Sequence, residues 1–117
     1  MTVEEITERK ALARQNSLFQ ASSSPCKEFQ FTQFVENGAA IEGKKPVRLS
    51  VGGKDFIALL TFQNGLLHSD SGLPAVEWKG HLEFWTKGLI QKVVDYDKNI
   101  EEVWNDGIPV KITEIER

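Results

Sequence analysis

Phe62-Gln-Asn-Gly65, Trp85-Thr-Lys-Gly88 and Trp104-Asn-Asp-Gly107 each place an aromatic residue three positions before a glycine. A fourth, looser copy runs from Phe34 to Asn37-Gly38, and successive glycines lie 27, 23 and 19 residues apart. Self-similarity at a period of about 20 residues marks one supersecondary unit, too small to bury its own apolar face, that gains a core by stacking on its neighbours. Asn-Gly is the strongest short hairpin signal, because both central residues of the tight turn must accept positive φ. Gly52-Gly53, Lys79-Gly80 and Asp106-Gly107 offer similar freedom. Gly38, Gly65, Gly72, Gly80, Gly88 and Gly107 are therefore read as structural turn positions. The fold expected is mainly β: an antiparallel meander of stacked hairpin repeats with one N-terminal α-helix.

Between the turns the hydrophobic period is two. Phe29 and Phe31, then Val47, Leu49 and Val51, then Ile108, Val110 and Ile112 alternate with polar residues or proline, the pattern of half-buried strands. Eight strands are expected, at about 28–35, 46–52, 54–62, 74–79, 81–86, 89–95, 100–104 and 108–115. The run Asp55 to Phe62 is apolar on both faces and is expected to be the most buried of them. Only the start reads as helical. Thr2 with Glu5 fits a capping box, and acids at Glu4, Glu5 and Glu8 precede bases at Arg9, Lys10 and Arg14, which predicts a helix over about 3–19. Residues 1–27 are thus a helix and linker, and 28–117 the β-hairpin repeat domain.

Composition excludes several classes of function. At 117 residues, 40% hydrophobic and 26% charged, the chain is an ordinary globular domain. No window approaches the ~18 apolar residues of a spanning helix, and the acidic start does not resemble an export signal. A cytoplasmic address is expected. The single cysteine, Cys26, leaves neither an internal disulfide nor a cysteine-based zinc site. Charge is balanced until residue 95; then Asp95, Asp97, Glu101, Glu102, Asp106, Glu114 and Glu116 outnumber Lys98, Lys111 and Arg117. That distribution has no footprint for phosphate, so nucleic acid is not an expected partner.

The stretch from Phe62 to Gly88, with Asn64-Gly65, His68, Gly72-Leu-Pro74-Ala75, Trp78, Gly80, Phe84 and Trp85, resembles the membrane occupation and recognition nexus (MORN) repeats and the antitoxin-type repeats of bacterial and phage proteins allied to them. The likeness extends more faintly over 34–51 and 99–112. It implies an elongated or curled antiparallel sheet and a non-enzymatic protein-interaction module of bacterial or phage origin, with no active site and no cofactor. It also raises a membrane-peripheral role, for which Lys44, Lys45, Arg48 and Lys54 are the only local basic cluster. Four bases in a neutral segment make a membrane an unlikely target. An inhibitor or anti-defence protein that lays its acidic end in a basic groove of a nuclease or toxin is the third reading. Exposed sheet edges make a homodimer conceivable.

Three constellations invite chemistry. His68-Ser-Asp70 with His81 falls short of a metal set, and a histidine at position 68 is better placed to hydrogen-bond the following loop. Asp95-Tyr-Asp97-Lys-Asn99-Ile-Glu101, ending at Asp106, mimics a calcium ladder, but Ile100 stands where that loop needs glycine. A hairpin turn explains it better. The serines lack a nucleophile elbow. The candidate interaction surface is then Trp78, Phe84, Trp85 and Trp104, with the acids Asp95, Asp97, Glu101 and Glu102 beside them. Packing of these aromatics between repeats is the competing assignment, and the favoured one for any single tryptophan.

Overall fold

The computed structural model describes residues 23–70 and 72–115. Ten strands run in order: β1 Val35–Glu36, β2 Ala39–Ala40, β3 Gly43–Val51, β4 Lys54–Gln63, β5 Leu66–Leu67, β6 Val76–Trp78, β7 His81–Thr86, β8 Leu89–Asp95, β9 Ile100–Asn105 and β10 Ile108–Glu114. Eight form one open antiparallel sheet in the order β10-β9-β8-β7-β6-β4-β3, with β5 beside β4; β1 and β2 make a separate hairpin. The sheet is a meander, as the short turns dictate. The helix expected over 3–19 lies outside the described residues.

The repeat turns are built alike. Asn37, Asn64, Lys87 and Asp106 have φ of 54°, 53°, 50° and 48°, and each is followed by a glycine near 80°. Two successive positive φ values match the twist of the flanking strands. At Lys79-Gly80 only the glycine is positive.

One unit locks to the next through these turns. The N–H of Gly65, Gly88 and Gly107 donates to the carbonyl of Ile41, Leu67 and Ile90, each at 2.9 Å. The residue before each glycine donates its own N–H to the side chain that follows that carbonyl. Asn64 bonds Glu42 Oε1 at 2.8 Å, Lys87 bonds His68 Nδ1 at 2.9 Å, and Asp106 bonds Gln91 Oε1 at 3.1 Å. Gln91 can reach because it is skipped in the register between β7 and β8, where Phe84 pairs Lys92 and Trp85 pairs Ile90. An unpaired extra residue of this kind bends a strand and re-aims its side chain. Val110 is skipped in the same way between β9 and β10.

The expected strand at 28–35 is a correction. Lys27–Phe29 is a turn of 3₁₀ helix, and Phe31 has φ of 62°. The chain instead runs across the repeat turns as a strap: Phe31 N–H donates to Gly88 O at 3.0 Å and Phe34 N–H to Gly65 O at 2.7 Å. A methyl group on Gly65 would lie 2.7 Å from the Phe34 carbonyl, so glycine is required there for closeness as well as for φ. The contacts with successive turns are made by Phe31 and Phe34, while Phe29 closes the 3₁₀ turn on Cys26, so the alternation of Phe29 and Phe31 does not reflect a pleat.

The core lies on one face of the sheet. Ala58, Leu60, Phe62, Leu67, Val76, Trp85, Ile90, Val93 and Trp104 are buried there with Cys26 from the approach to the strap. Phe29 packs edge-on against Phe34 at 5.2 Å, and Phe34 against Phe62 at 5.4 Å. The other face is not covered in the same way. On β4, Ala58, Leu60 and Phe62 point inward, whereas Ile57 and Leu59 remain 57% and 38% exposed. The expectation that 55–62 would be the most buried strand is therefore corrected: β4 leaves one face exposed, whereas β8 has no exposed residue.

Candidate functional site

Strand alternation sends His81, Glu83 and Trp85 of β7 and Glu102 and Trp104 of β9 to the inner face, where all five are buried. His81 Nε2 lies 2.7 Å from Glu83 Oε2, and His81 Nδ1 lies 3.1 Å from Asp95 Oδ2. The ring stacks flat on Trp78, with centroids 3.8 Å apart and 6° between planes. Glu83 Oε1 accepts the Trp85 indole N–H at 2.9 Å. The same pattern recurs one unit later: Glu102 Oε1 accepts the Trp104 indole N–H at 3.1 Å, and Oε2 accepts the Ser23 backbone N–H at 2.8 Å. Each buried carboxylate thus answers its own tryptophan and one tether, His81 in the first case and the N-terminal approach in the second. Buried carboxylates persist only when so satisfied.

Burial pushes the Asp95 carboxyl up, but the Lys98 backbone N–H at 2.8 Å and His81 outweigh it and hold the group below its ordinary range. Cys26 goes the other way; desolvation and the Glu83 charge push its thiol far above the range in which thiolate forms. A histidine between two carboxylates resembles acid–base machinery. With His81, Glu83 and Glu102 at 1% exposure or less, however, a substrate has no access, and the cluster's geometry is that of a clasp.

The sequence-predicted surface is divided by the structure. Trp85 at 1% and Trp104 at 8% exposure are core, so the packing assignment favoured for a single tryptophan holds for both, and their place in the candidate interaction surface is corrected: equivalent positions align on the inner face. Trp78 is half-buried against His81 and Phe56. Phe84 points to the opposite face, with Lys92 Nζ 5.5 Å above its ring. Asp95 and Glu102 are buried, which removes them from an acidic docking surface. Glu101 pairs with Lys92 at 3.5 Å, and Asp97 sits in the turn against Gly80. His68 bonds the following turn, as its position suggested, and its Nε2 is 3.7 Å from Asp70. Among the described residues no group of three or more His, Cys, Asp or Glu is arranged to hold a metal ion. No helix of the described residues is long and apolar enough to cross a membrane.

Two surfaces that the sequence did not disclose flank β3 and β4. On the outer face, Ile57 and Leu59 meet Leu82, Glu77 and Trp78 in a shallow cleft of about 320 Å³. On the inner side, a groove of about 510 Å³ runs between the strap and β3. The signal available for the first was the doubly apolar run of β4; for the second there was none, because its walls come from segments distant in sequence.

Neither a family model, nor a curated protein, nor a solved structure matches the chain.

Proposed function

We propose that the protein is a non-enzymatic protein-interaction module whose working surface is the outer face of β4, β6 and β7. The observation that carries this reading is a division of labour between faces. Histidine, carboxylate and indole groups with chemical potential are spent on one another inside, while large apolar side chains stand uncovered outside at Ile57 and Leu59. Two ion pairs lie beside them, Lys44 with Glu77 at 3.5 Å and Lys92 with Glu101 at 3.5 Å, and Arg48 stands opposite Ile57 in the strand register. An apolar centre within a polar rim is the anatomy of a protein interface. Such a centre selects a partner with a complementary apolar patch. The resemblance to stacked-hairpin repeat proteins supports the same reading.

The test is a paired substitution, Ile57→Asp with Leu59→Asp. Exposed positions change stability by about 0.5 kcal/mol or less, so the fold should persist. A partner captured from the source cell by the parent chain, identified and reconstituted from purified components, should bind in a way that the variant abolishes and that rises little as salt is lowered. Steeply salt-dependent binding to a basic partner, untouched by the variant, would replace this reading with the inhibitor of a basic groove. A dimer in light scattering that the same two substitutions dissolve would give the face to a second copy of the chain.

A further inference from the structure

We infer that His68 is a proton-sensitive latch between repeat units, which holds the turn at Lys87-Gly88 only while its imidazole is neutral. The three side chains that bracket a following turn differ in chemistry: Glu42 offers a carboxylate, Gln91 an amide oxygen, and His68 a ring nitrogen. Between about pH 8 and about pH 5 the carboxylate and the amide remain acceptors. The imidazole does not. The Lys87 backbone N–H donates to His68 Nδ1 at 2.9 Å, which requires the lone pair on Nδ1 and so puts the neutral ring's proton on Nε2. A second proton can enter only at Nδ1, and the bond then becomes two donors face to face.

The surroundings admit that proton. The His68 side chain is 15% exposed, and its Nε2 lies 3.7 Å from Asp70 Oδ1. Glu42, Lys44 and Glu77 line the same cavity of about 380 Å³, and Lys87 carries a cation on the turn itself. Three carboxylates stand against two ammoniums, so an imidazolium meets a net negative charge. The backbone of His68 cannot follow its ring, because its N–H donates to Thr61 O at 3.1 Å and the Ser69 N–H to Trp85 O at 3.2 Å. Protonation therefore swings the ring or lifts the turn, and either movement leaves the Lys87 N–H to water. The strap has a foothold on the same turn, Phe31 N–H on Gly88 O at 3.0 Å, and loosens with it. The Gly88 N–H bond to Leu67 O is untouched by the proton, which confines the change to the turn and the strap. The latch does not depend on the interaction reading above.

Nuclear magnetic resonance of the full chain, titrated from about pH 8 to about pH 5, is the experiment. At the upper end the ring nitrogens of His68 should show the Nε2–H tautomer. The bond is complete above the titration of the ring and lost as pH falls through it. The Lys87 and Phe31 amide signals should therefore move with the midpoint of the His68 ring, and hydrogen-exchange protection of Lys87 should fall about fivefold, the factor that one ordinary hydrogen bond contributes. The Asn64 and Asp106 amides, held by Glu42 and Gln91, should not follow that midpoint. His68→Gln installs the acceptor that Gln91 supplies one unit later, and Lys87 protection should then persist to the acid end. His68→Ala should lower it at both ends. The parent-chain signals decide the matter even where neither variant folds. The Nδ1–H tautomer at the upper end would overturn the latch. So would Lys87 protection that ignores the titration of His68, that follows the His81 ring instead, or that still falls in His68→Gln.

Discussion

The first repeat unit and the two that follow share a turn but not an interior. Two positions before Gly65-type turns stand Asn64, Lys87 and Asp106's predecessors in one register; further back, Leu60 and Phe62 fill the places that Glu83 and Trp85, then Glu102 and Trp104, occupy later. All six side chains are buried. In the first unit the pair needs nothing further. In the others a carboxylate must be satisfied by further donors besides the indole: His81 of the same strand for Glu83, and the Ser23 backbone, distant in sequence, for Glu102. The apolar version is self-sufficient, whereas the polar versions recruit neighbours. A polar pair in the core thereby adds connections, at the risk that removing one member strands the other.

The sharpest way to break the comparison is to truncate an inner aromatic. Trp85→Ala should cost about 3–5 kcal/mol, close to the whole stability of a domain this size, and urea titration should find the variant largely unfolded. A loss under about 1 kcal/mol would return the tryptophan to the surface.

Next comes an exchange of interiors. Glu83→Leu alone leaves the Trp85 indole and one nitrogen of His81 without their acceptor and should cost about 2–4 kcal/mol. Adding Trp85→Phe, which recreates the first unit's pair, should recover part of that loss. Simple additivity in the double-mutant cycle would mean that the carboxylate and indole are not coupled.

Smaller effects separate the turns. Gly65→Ala places a methyl 2.7 Å from Gln33 and from the Phe34 carbonyl, while Gly38→Ala meets nothing within 4 Å. Both bear the strain of positive φ, about 1 kcal/mol or somewhat more, and thermal melts should show Gly65→Ala losing roughly twice as much. Equal losses would show that the strap yields.

The weakest effect is that of pH. The Asp95 carboxyl is held below its ordinary value of 3.8 in the folded chain. Its contribution is therefore complete above the unfolded value and lost as pH falls through the folded one. Melting temperature should decline on acidification, and less steeply in Asp95→Asn. Parallel curves would show that Asp95 has no part in it.

Much of the fold was legible because turn chemistry is local. Asn64-Gly65 and Asp106-Gly107 specify their hairpins without reference to the rest of the chain, and strands β7 to β10 follow from alternation between them. The strap was misread because Phe29 and Phe31 obey a strand's period without lying in one: Phe29 closes a 3₁₀ turn on Cys26 and packs on Phe34, and Phe31 bonds the Gly88 turn. β1, β2 and β5 are two residues each, too short for any period. Glu102 was assigned to an acidic surface and Glu83 was not singled out, although each stands two residues before a tryptophan, a spacing that places carboxylate and indole on one side of a strand. The groove was invisible because Phe34 and Val47 become neighbours only after folding.

The brackets between units carry a direction. Glu42, His68 and Gln91 each offer an acceptor atom to the turn that comes next in the chain, and the fourth member of this series is Val110, whose side chain has none to offer. A duplicated hairpin appended after β10 would find the carbonyl of Pro109 where Ile41, Leu67 and Ile90 presented theirs, yet no second anchor beside it. A unit placed there would rest on the carbonyl alone unless residue 110 were changed to one whose side chain accepts a hydrogen bond.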